Sequence, residues 1–390
     1  MRPDPAEAQP QTPLNRLRLT FAAAGWGAVV LGCIVLLSVA GLAPAEFSYA
    51  VPAVAVGAPA LVLASLAGPG MTRARLLGLT AIGLGAWIIL ALDLRTVMMV
   101  RASFQSGSEF EVSIAELNVW DFNPEPAETI RWLKETDADI FVLVEARESF
   151  MRDLMQAVPD YPTVVTCASR PYCGVAIVSR FEGRLLDGGA WQSGDLSRPH
   201  ATGNEIATAA VELLVPGKGG PGRTLKIVGV HLDREGLSRV AHDDIEQLLQ
   251  QVDAVAETPA DALVVAGDFN ASPWSPELRH FVTMSGLSRT SVWAPTWPSF
   301  DGPFLSGLPT LMLAVDGVHA GCGVTLGAIE TGPHVGSDHR SLLARIMLTE
   351  VDEGCRVMGV HRARRASESS PGSPAAATVR RAVSKRGRDS

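Results

Sequence analysis

Several apolar runs in this 390-residue chain end in a side chain that can bind a cation or carry a proton. Asn118 closes SIAELN, and Glu145 follows DIFVLV. His231 follows KIVGV, and Asp268 and Asn270 follow LVVAG. Asp316 follows LMLAV, while Asp338 and His339 precede SLLARIML. A carboxylate behind apolar strand residues is costly unless it is paired or coordinated. One such residue is ordinarily a structural hydrogen-bonding group. The same placement on strand after strand is harder to explain that way, and ligands gather at strand ends in α/β sheets. Carboxylates and amides are hard oxygen ligands, suited to Mg²⁺ or Mn²⁺ rather than zinc. No Cys/His cluster has zinc spacing. An oxygen-ligated divalent ion beside two histidines would neutralise phosphate charge and activate water.

The elements that carry these residues read as alternating strands and helices. VSIAELNVW, DIFVLVEA and GVAIVSR read as strands, with helices over Pro126–Glu135 and Ser149–Ala157. EIATAAVELLV and TLKIVGVHLD read as a strand pair around the Gly-rich turn GKGGPGR. Ser238–Ala256 is the longest amphipathic helix of this region, Ala262–Ala266 a strand, and SLLARIML the last strand. Such a mixture over about 250 residues can close one large α+β domain. Ala271–Pro309, with three Trp and many Pro, shows no readable periodicity.

The ordered pieces LNVWDFN, DIFVLVEA, GVAIVSR, VGVHLD, VAGDFNASPWSP and GSDHRSL resemble the endonuclease/exonuclease/phosphatase superfamily, with its deoxyribonuclease I-like fold. The resemblance runs over about Val112–Leu348, and GDFN followed by SDH is its most specific part. It implies a four-layered α/β sandwich, an α+β fold with two central sheets. A bacterial membrane-anchored branch, which shares a T-W-P loop (here Thr296–Pro298), is the most similar. By this resemblance Glu145 would be the principal metal ligand, with Asn118 and Asp338. Asp268 would orient or deprotonate the attacking water, and Asn270 would hold the phosphate or a metal-bound water. His339 would face the scissile phosphate, Asp316 would fix its tautomer, and His231 would donate to a non-bridging oxygen. The implied reaction is in-line attack of water on a phosphodiester or phosphomonoester. Two positions depart from the pattern: Gly317 stands where the family has an aromatic residue or His, and Trp120 where some nucleases have an acid. Asn123 is a secondary metal candidate. His200, Asn204, Arg198 and Arg340 are candidate substrate contacts that read equally as surface residues.

Charge and hydropathy divide the chain. Residues 19–42, 49–67 and 76–100 are apolar stretches that read as three transmembrane helices, a crossing needing about 20 apolar residues. The first is too long for the ~7–15-residue apolar segment of a signal peptide. Arg16, Arg18, Arg73 and Arg75 place residues 1–18 and the second loop inside, hence the C-terminal domain outside, in a bacterial inner membrane. Residues 101–111 read as a linker and 112–350 as the enzymatic domain. Residues 107–355 carry 17 basic and 35 acidic residues, a net of −18. That balance argues against non-specific grip on long duplex DNA, which needs many Lys/Arg–phosphate contacts. Residues 356–390, with nine basic and two acidic residues, read as a disordered tail, either solvated or touching anionic lipid or nucleic acid. Cys167 and Cys173, six apart across a Pro turn, are able to bridge if the domain lies outside the cytoplasm and otherwise read as small buried hydrophobes. The expectation is a membrane-anchored, Mg²⁺- or Mn²⁺-dependent phosphoesterase, foremost a nuclease. The alternatives are a lipid or small-molecule phosphodiesterase or phosphatase, and a non-catalytic binding module. Its partners would be a phosphodiester substrate, nucleic acid or lipid headgroup, and membrane lipid around the helices.

Overall fold

The computed structural model describes Leu37 and residues 109–167, 174–187, 189–190, 206–217, 219–233, 242–257, 260–288, 294–299, 313–321 and 323–349. The three expected membrane helices (Leu37 apart), residues 1–18, the linker up to residue 108 and the 356–390 tail lie outside these residues, as do Cys173, Arg198, His200 and Asn204. Among the described residues no helix is long and apolar enough to cross a membrane. The chain divides into two compact units, Met1–Thr96 and Val97–Ser390, and all the elements below belong to the second.

Two sheets form its centre. The first has the order β11 (Val324–Thr331), β12 (Leu342–Leu348), β1 (Glu111–Asn118), β2 (Ile140–Val144), β4 (Ala176–Ser179), β3 (Thr163–Thr166), β6 (Gly189–Ala190). The second has the order β10 (Asp316–Ala320), β9 (Ala262–Asp268), β8 (Arg223–His231), β7 (Ala207–Val215), β5 (Gly183–Asp187). Among the described residues four helices complete it: α1 (Pro126–Thr136), α2 (Glu148–Ala157), α3 (His242–Ala256) and α4 (Pro276–Ser285).

Alternation explains the stacking, because residues i and i+2 of a strand share a face. Val112, Ile114, Ile140 and Val142 of the first sheet meet Val211, Ile227, Val264 and Val318 of the second. The opposite faces are also apolar, so each needs a cover. Leu133 of α1 and Phe150, Met151 and Leu154 of α2 cover the first sheet. Ile245, Leu248 and Val252 of α3 and Leu278 and Phe281 of α4 cover the second. The order helix, sheet, sheet, helix is the four-layered α+β sandwich expected from the motifs. Fully buried rings such as Phe141, Phe269 and Phe281 each contribute about 1.5–3 kcal/mol.

The segment that showed no periodicity contains α4. Its boundaries are written in local chemistry rather than in pattern. Ser275 caps it, its side chain accepting from the Leu278 N–H at 3.2 Å. Pro276 fits the first turn, and Gly286, at φ +70°, ends it in the left-handed region.

Register brings the polar strand ends together. β1 and β2 run parallel, with Asn118 beside Val144. β8 and β9 run parallel, with His231 beside Asp268. β10 is antiparallel to β9 and begins at Asp316, directly opposite Asp268. β12 is antiparallel to β1 and begins at Leu342, opposite Glu116. Thus β1, β2, β8 and β9 end, and β10 and β12 begin, at one end of the sandwich. On β1, β8, β9 and β10, alternation aims Asn118, His231, Asp268 and Asp316 into the space between the sheets. The sheets approach closely just beneath: a Cβ on Gly229 would lie 2.9 Å from Val175 Cγ1.

Candidate active site

Asn118 is the bridge between the two sheets. Its Nδ2 donates to Glu145 Oε1 and to Asp268 Oδ2, each at 3.1 Å, and its Oδ1 accepts from the Trp120 N–H at 2.9 Å. Glu145 is the first residue beyond β2. Strict alternation would turn it toward the helices, but its φ of +55° breaks the pattern and re-aims the side chain. Gly174 makes this conformation possible, because any Cβ there would lie 2.8 Å from the Glu145 Cα. Glu145 Oε2 accepts from the Asp121 N–H at 2.9 Å, and its Oε1 lies 3.9 Å from His231 Nε2.

On the second sheet, Asp268 Oδ1 accepts from the Asn270 N–H at 2.7 Å. Asn270, itself at φ +46°, spends its side-chain N–H on the Leu232 carbonyl at 2.8 Å. His339 Nδ1 lies 2.8 Å from Asp316 Oδ2, leaving Nε2 to face Asp268 Oδ2 at 3.9 Å. The loop that carries His339 is tied to the first sheet by Ser337. Its hydroxyl donates to the Asn118 carbonyl at 2.6 Å and accepts from the His339 N–H at 3.0 Å. Asp338 Oδ2 accepts from Trp297 Nε1 at 3.2 Å, while its buried Oδ1 has no hydrogen-bond partner.

The electrostatics are those of crowded carboxylates. Burial, then the charge of Asp316, pushes Asp268 up to about 6, with His339 and His231 pulling the other way. Burial works against a charge on His339, but the adjacent Asp316 and its hydrogen bond outweigh it and push the imidazole up to about 9. Burial, and to a smaller extent the Glu145 charge, also raises Asp338. Beneath them Glu116 is fully buried, neither of its carboxyl oxygens has a partner, and burial, Asp316 and Asp268 together hold it well above the usual carboxylate range.

Residues 115–339 match the Endonuclease/Exonuclease/phosphatase family. The chain belongs to that family. It is accordingly a phosphoric ester hydrolase of a class that works with divalent metals. Solved structures of similar shape include an endonuclease/exonuclease/phosphatase from Bacteroides vulgatus, at 17% identity and TM-score 0.48, covering 61% of this chain and 99% of that one. Another is a mannosyl-6-phosphatase from Bacteroides thetaiotaomicron, at 15% identity and TM-score 0.46, covering 61% of this chain and 100% of that one. A third is D. rerio TDP2 complexed with a single-strand DNA product, at 16% identity and TM-score 0.42, covering 60% of this chain and 98% of that one. No curated protein matches the chain.

The donor set of this family member fits a hard divalent cation. Buried or half-buried carboxylates outnumber the cationic groups beside them, and the free Asp338 Oδ1 is an oxygen donor left without a proton donor. One ligand atom each of Asp268, Asp316 and His339 also lie within 4.8 Å of one another. There, however, Asp316 and His339 already engage each other through Nδ1.

The structure gathers Asn118, Glu145, His231, Asp268, Asn270, Asp316, Asp338 and His339 at one end of the sandwich. Asn123 does not join them. Its amide donates to the Val119 carbonyl and to Thr129 Oγ1, and its oxygen accepts from the Glu125 N–H, so it shapes the loop after β1. The departure at Gly317 has a local reason. His319, on the same face of β10, lays its ring where a side chain at 317 would stand, 2.9 Å from the position of its Cβ. There it meets Phe269 and Phe281 edge-on. Arg340 donates its backbone N–H to Thr296. Sequence reasoning assigned no role to Glu116, Ser337 or Trp297. Two of them carried a signal, Trp297 in the T-W-P loop and Ser337 as the first residue of the SDH motif.

Proposed function

We propose that this protein hydrolyses phosphodiester bonds with a Mg²⁺- or Mn²⁺-assisted water, and that it is a nuclease. The observation that carries the reading is the Asp316–His339 pair set 3.9 Å from Asp268 Oδ2, at the strand end that also holds Asn118 and Glu145. Two points 3.9 Å apart can both reach one intervening oxygen at a hydrogen-bond length of about 2.8 Å. Asp268, pushed up to about 6, is suited to take the proton of an attacking water near neutral pH. As the water oxygen bonds to phosphorus and the ester P–O bond breaks, negative charge builds on the phosphoryl oxygens, and the leaving oxygen departs as the alcohol with a proton from solvent. His339, kept protonated by Asp316, presents Nε2–H to that charge. His231 Nε2, 3.9 Å from Glu145, is placed to donate to a second phosphoryl oxygen. Asn118, Glu145 and Asp338 would hold the cation, which supplies Lewis acidity and charge neutralisation when bound.

A second substrate reading is favoured by charge. The net of −18 over residues 107–355 repels long polyanions, whereas a lipid headgroup or small phosphodiester presents one phosphate. The apolar stretches of the first hundred residues would anchor the chain in a bacterial inner membrane, with the enzymatic region at 112–350 on the outer side. Cys167 is disulfide-bonded, which favours an oxidising compartment.

The test is turnover by the full-length chain on bis-p-nitrophenyl phosphate, single- and double-stranded DNA and a phospholipid panel, each with Mg²⁺, Mn²⁺ or EDTA. Metal-dependent turnover that disappears in Glu145→Ala and His339→Ala is the expected result, with a preference for DNA. A preference for phospholipid replaces the nuclease reading with the second one. No turnover from a folded, metal-binding chain refutes both.

A further inference from the structure

The T-W-P loop lies against the site, and the reaction sketched above assigns it nothing. Its backbone is stitched on two sides. The Thr296 and Trp297 N–H groups both donate to the Leu313 carbonyl, at 2.8 and 3.0 Å, and the Leu313 N–H returns to Trp297 at 2.5 Å. On the other side the Arg340 N–H donates to the Thr296 carbonyl at 2.9 Å, and the Ser299 N–H donates to the Asp338 carbonyl at 2.6 Å. Ser299 Oγ also lies 2.8 Å from His334 Nδ1. Trp297 is therefore fixed at both ends of its residue before its side chain is considered. From this anchored position the indole reaches inward. Its Nε1–H lies 3.2 Å from Asp338 Oδ2, and its ring centroid stands 6.4 Å from that of His339, tilted by 49°.

A carboxylate on a loop has two oxygens and a freely turning terminal torsion. An indole has one donor and no acceptor. A single N–H···O bond from an immobile ring thus engages one oxygen and stops the rotation, leaving the other oxygen pointing one way. In Asp338 that other oxygen, Oδ1, is buried and has no hydrogen-bond partner. A group that fixes a ligand's orientation from behind strengthens cation binding without touching the cation. We infer that Trp297 is a positioning residue, holding Asp338 so that its free Oδ1 is presented to a divalent cation. The inference rests on the metal-dependent reading above and names a residue that serves it. Trp297 does not touch the cation or the phosphate; it acts through Asp338.

The test is calorimetric titration of Mn²⁺ into the full-length chain, in the parent and in Trp297→Phe, Asp338→Asn and the double variant. Phenylalanine keeps an aromatic ring and removes the N–H. Loss of a supporting group of this kind weakens metal affinity about 10-fold or more. The expected result is such a loss in Trp297→Phe, and no further loss when it is added to Asp338→Asn, because the indole then has no carboxylate to orient. Unchanged affinity in Trp297→Phe overturns the inference. So does a loss that multiplies with that of Asp338→Asn, which would mark a role independent of Asp338. If Trp297→Phe loses the native circular dichroism spectrum, benzothienylalanine at position 297, with a bicyclic ring and no N–H, decides by the same two criteria. A parent chain that binds no Mn²⁺ overturns the metal-dependent reading and the inference together.

Discussion

Replacing Asp316 with Asn tests the proton-handling half of the site with little change in shape. The amide keeps an oxygen that can accept from His339 Nδ1 at the observed 2.8 Å, so the ring can hold its place. What disappears is the charge. His339 stands at about 9 against an ordinary 6.5, although its burial alone would lower it. That gap corresponds to about 3 kcal/mol favouring the imidazolium. Asp316 is the largest cause that raises it, with Asp268 and Asp338 behind. In Asp316→Asn the His339 midpoint should therefore fall to the ordinary imidazole range or below, as read from its ring resonances by NMR on metal-free protein. Because the folded value is raised, the stabilisation from His339 is complete below pH 6.5 and is lost as pH rises through about 9. The parent should thus lose thermal stability over that window and the variant should lack this part of the slope. At pH 8 the variant would carry a neutral imidazole, and kcat/KM should drop by about 10²–10⁴-fold, recovering in part toward pH 6. A His339 midpoint that stays near 9 in Asp316→Asn would refute the claim that this carboxylate holds the charge.

Four further outcomes follow from the same geometry. Asp268 is raised to about 6, so in metal-free protein its contribution is lost as pH climbs from about 4 through 6. Mg²⁺ or Mn²⁺ should therefore raise the thermal midpoint more at pH 8 than at pH 5, and EDTA should remove the gain; an equal gain at both pH values would contradict a carboxylate cradle. Glu116→Met should stabilise the metal-free protein by about 1–3 kcal/mol at pH 8, and less at pH 4, where Glu116 is protonated folded or unfolded, as measured by calorimetry. Gly229→Ala should cost about 1–3 kcal/mol in chemical denaturation, since its Cβ would stand 2.9 Å from Val175 and 3.3 Å from Ile177. If the nuclease reading holds, added salt should raise kcat/KM on long single strands by screening the acidic domain, while a zwitterionic headgroup should show little response.

Sequence pattern carried the strands that bear the chemistry. β1, β2, β8 and β9 each read as an apolar run with a polar terminus, and each is found with that terminus at the site. Pattern failed where structure is set by a few local contacts. α4 owes its limits to Ser275, Pro276 and Gly286, and its apolar residues are too few for a clear period. Glu145 reaches the site through a left-handed backbone that alternation cannot foresee. Glu116 stands in an alternating strand like any solvent-facing glutamate, and only the second sheet laid over it makes it buried. Trp297 and Asp338 are 41 residues apart, joined by one hydrogen bond, and no spacing rule links them.

The balance of charge separates a hydrolase from a binding module built on the same fold. Glu116, Asp268 and Asp316 are each almost fully shielded from water, and Asp338 and Glu145 lie beside them. Two like charges about 4 Å apart repel by roughly 4 kcal/mol at an effective dielectric of about 20. Three buried carboxylates therefore cannot all stay ionised, and Asp268 and Glu116 answer by holding their protons more tightly. A domain that used this end of the sandwich only to dock a partner would gain nothing from that penalty, and apolar residues of similar volume would stabilise it. The arrangement has a use once a divalent cation enters. Asn118, Glu145 and Asp338 would hold that cation, whose charge would lower the cost of ionising their neighbours, so that Asp268 would be free to accept a proton while Asp316 keeps one on His339. Cation binding and proton release would then be one coupled event, and the buried acids that burden the fold without a cation would be the groups that make it reactive with one.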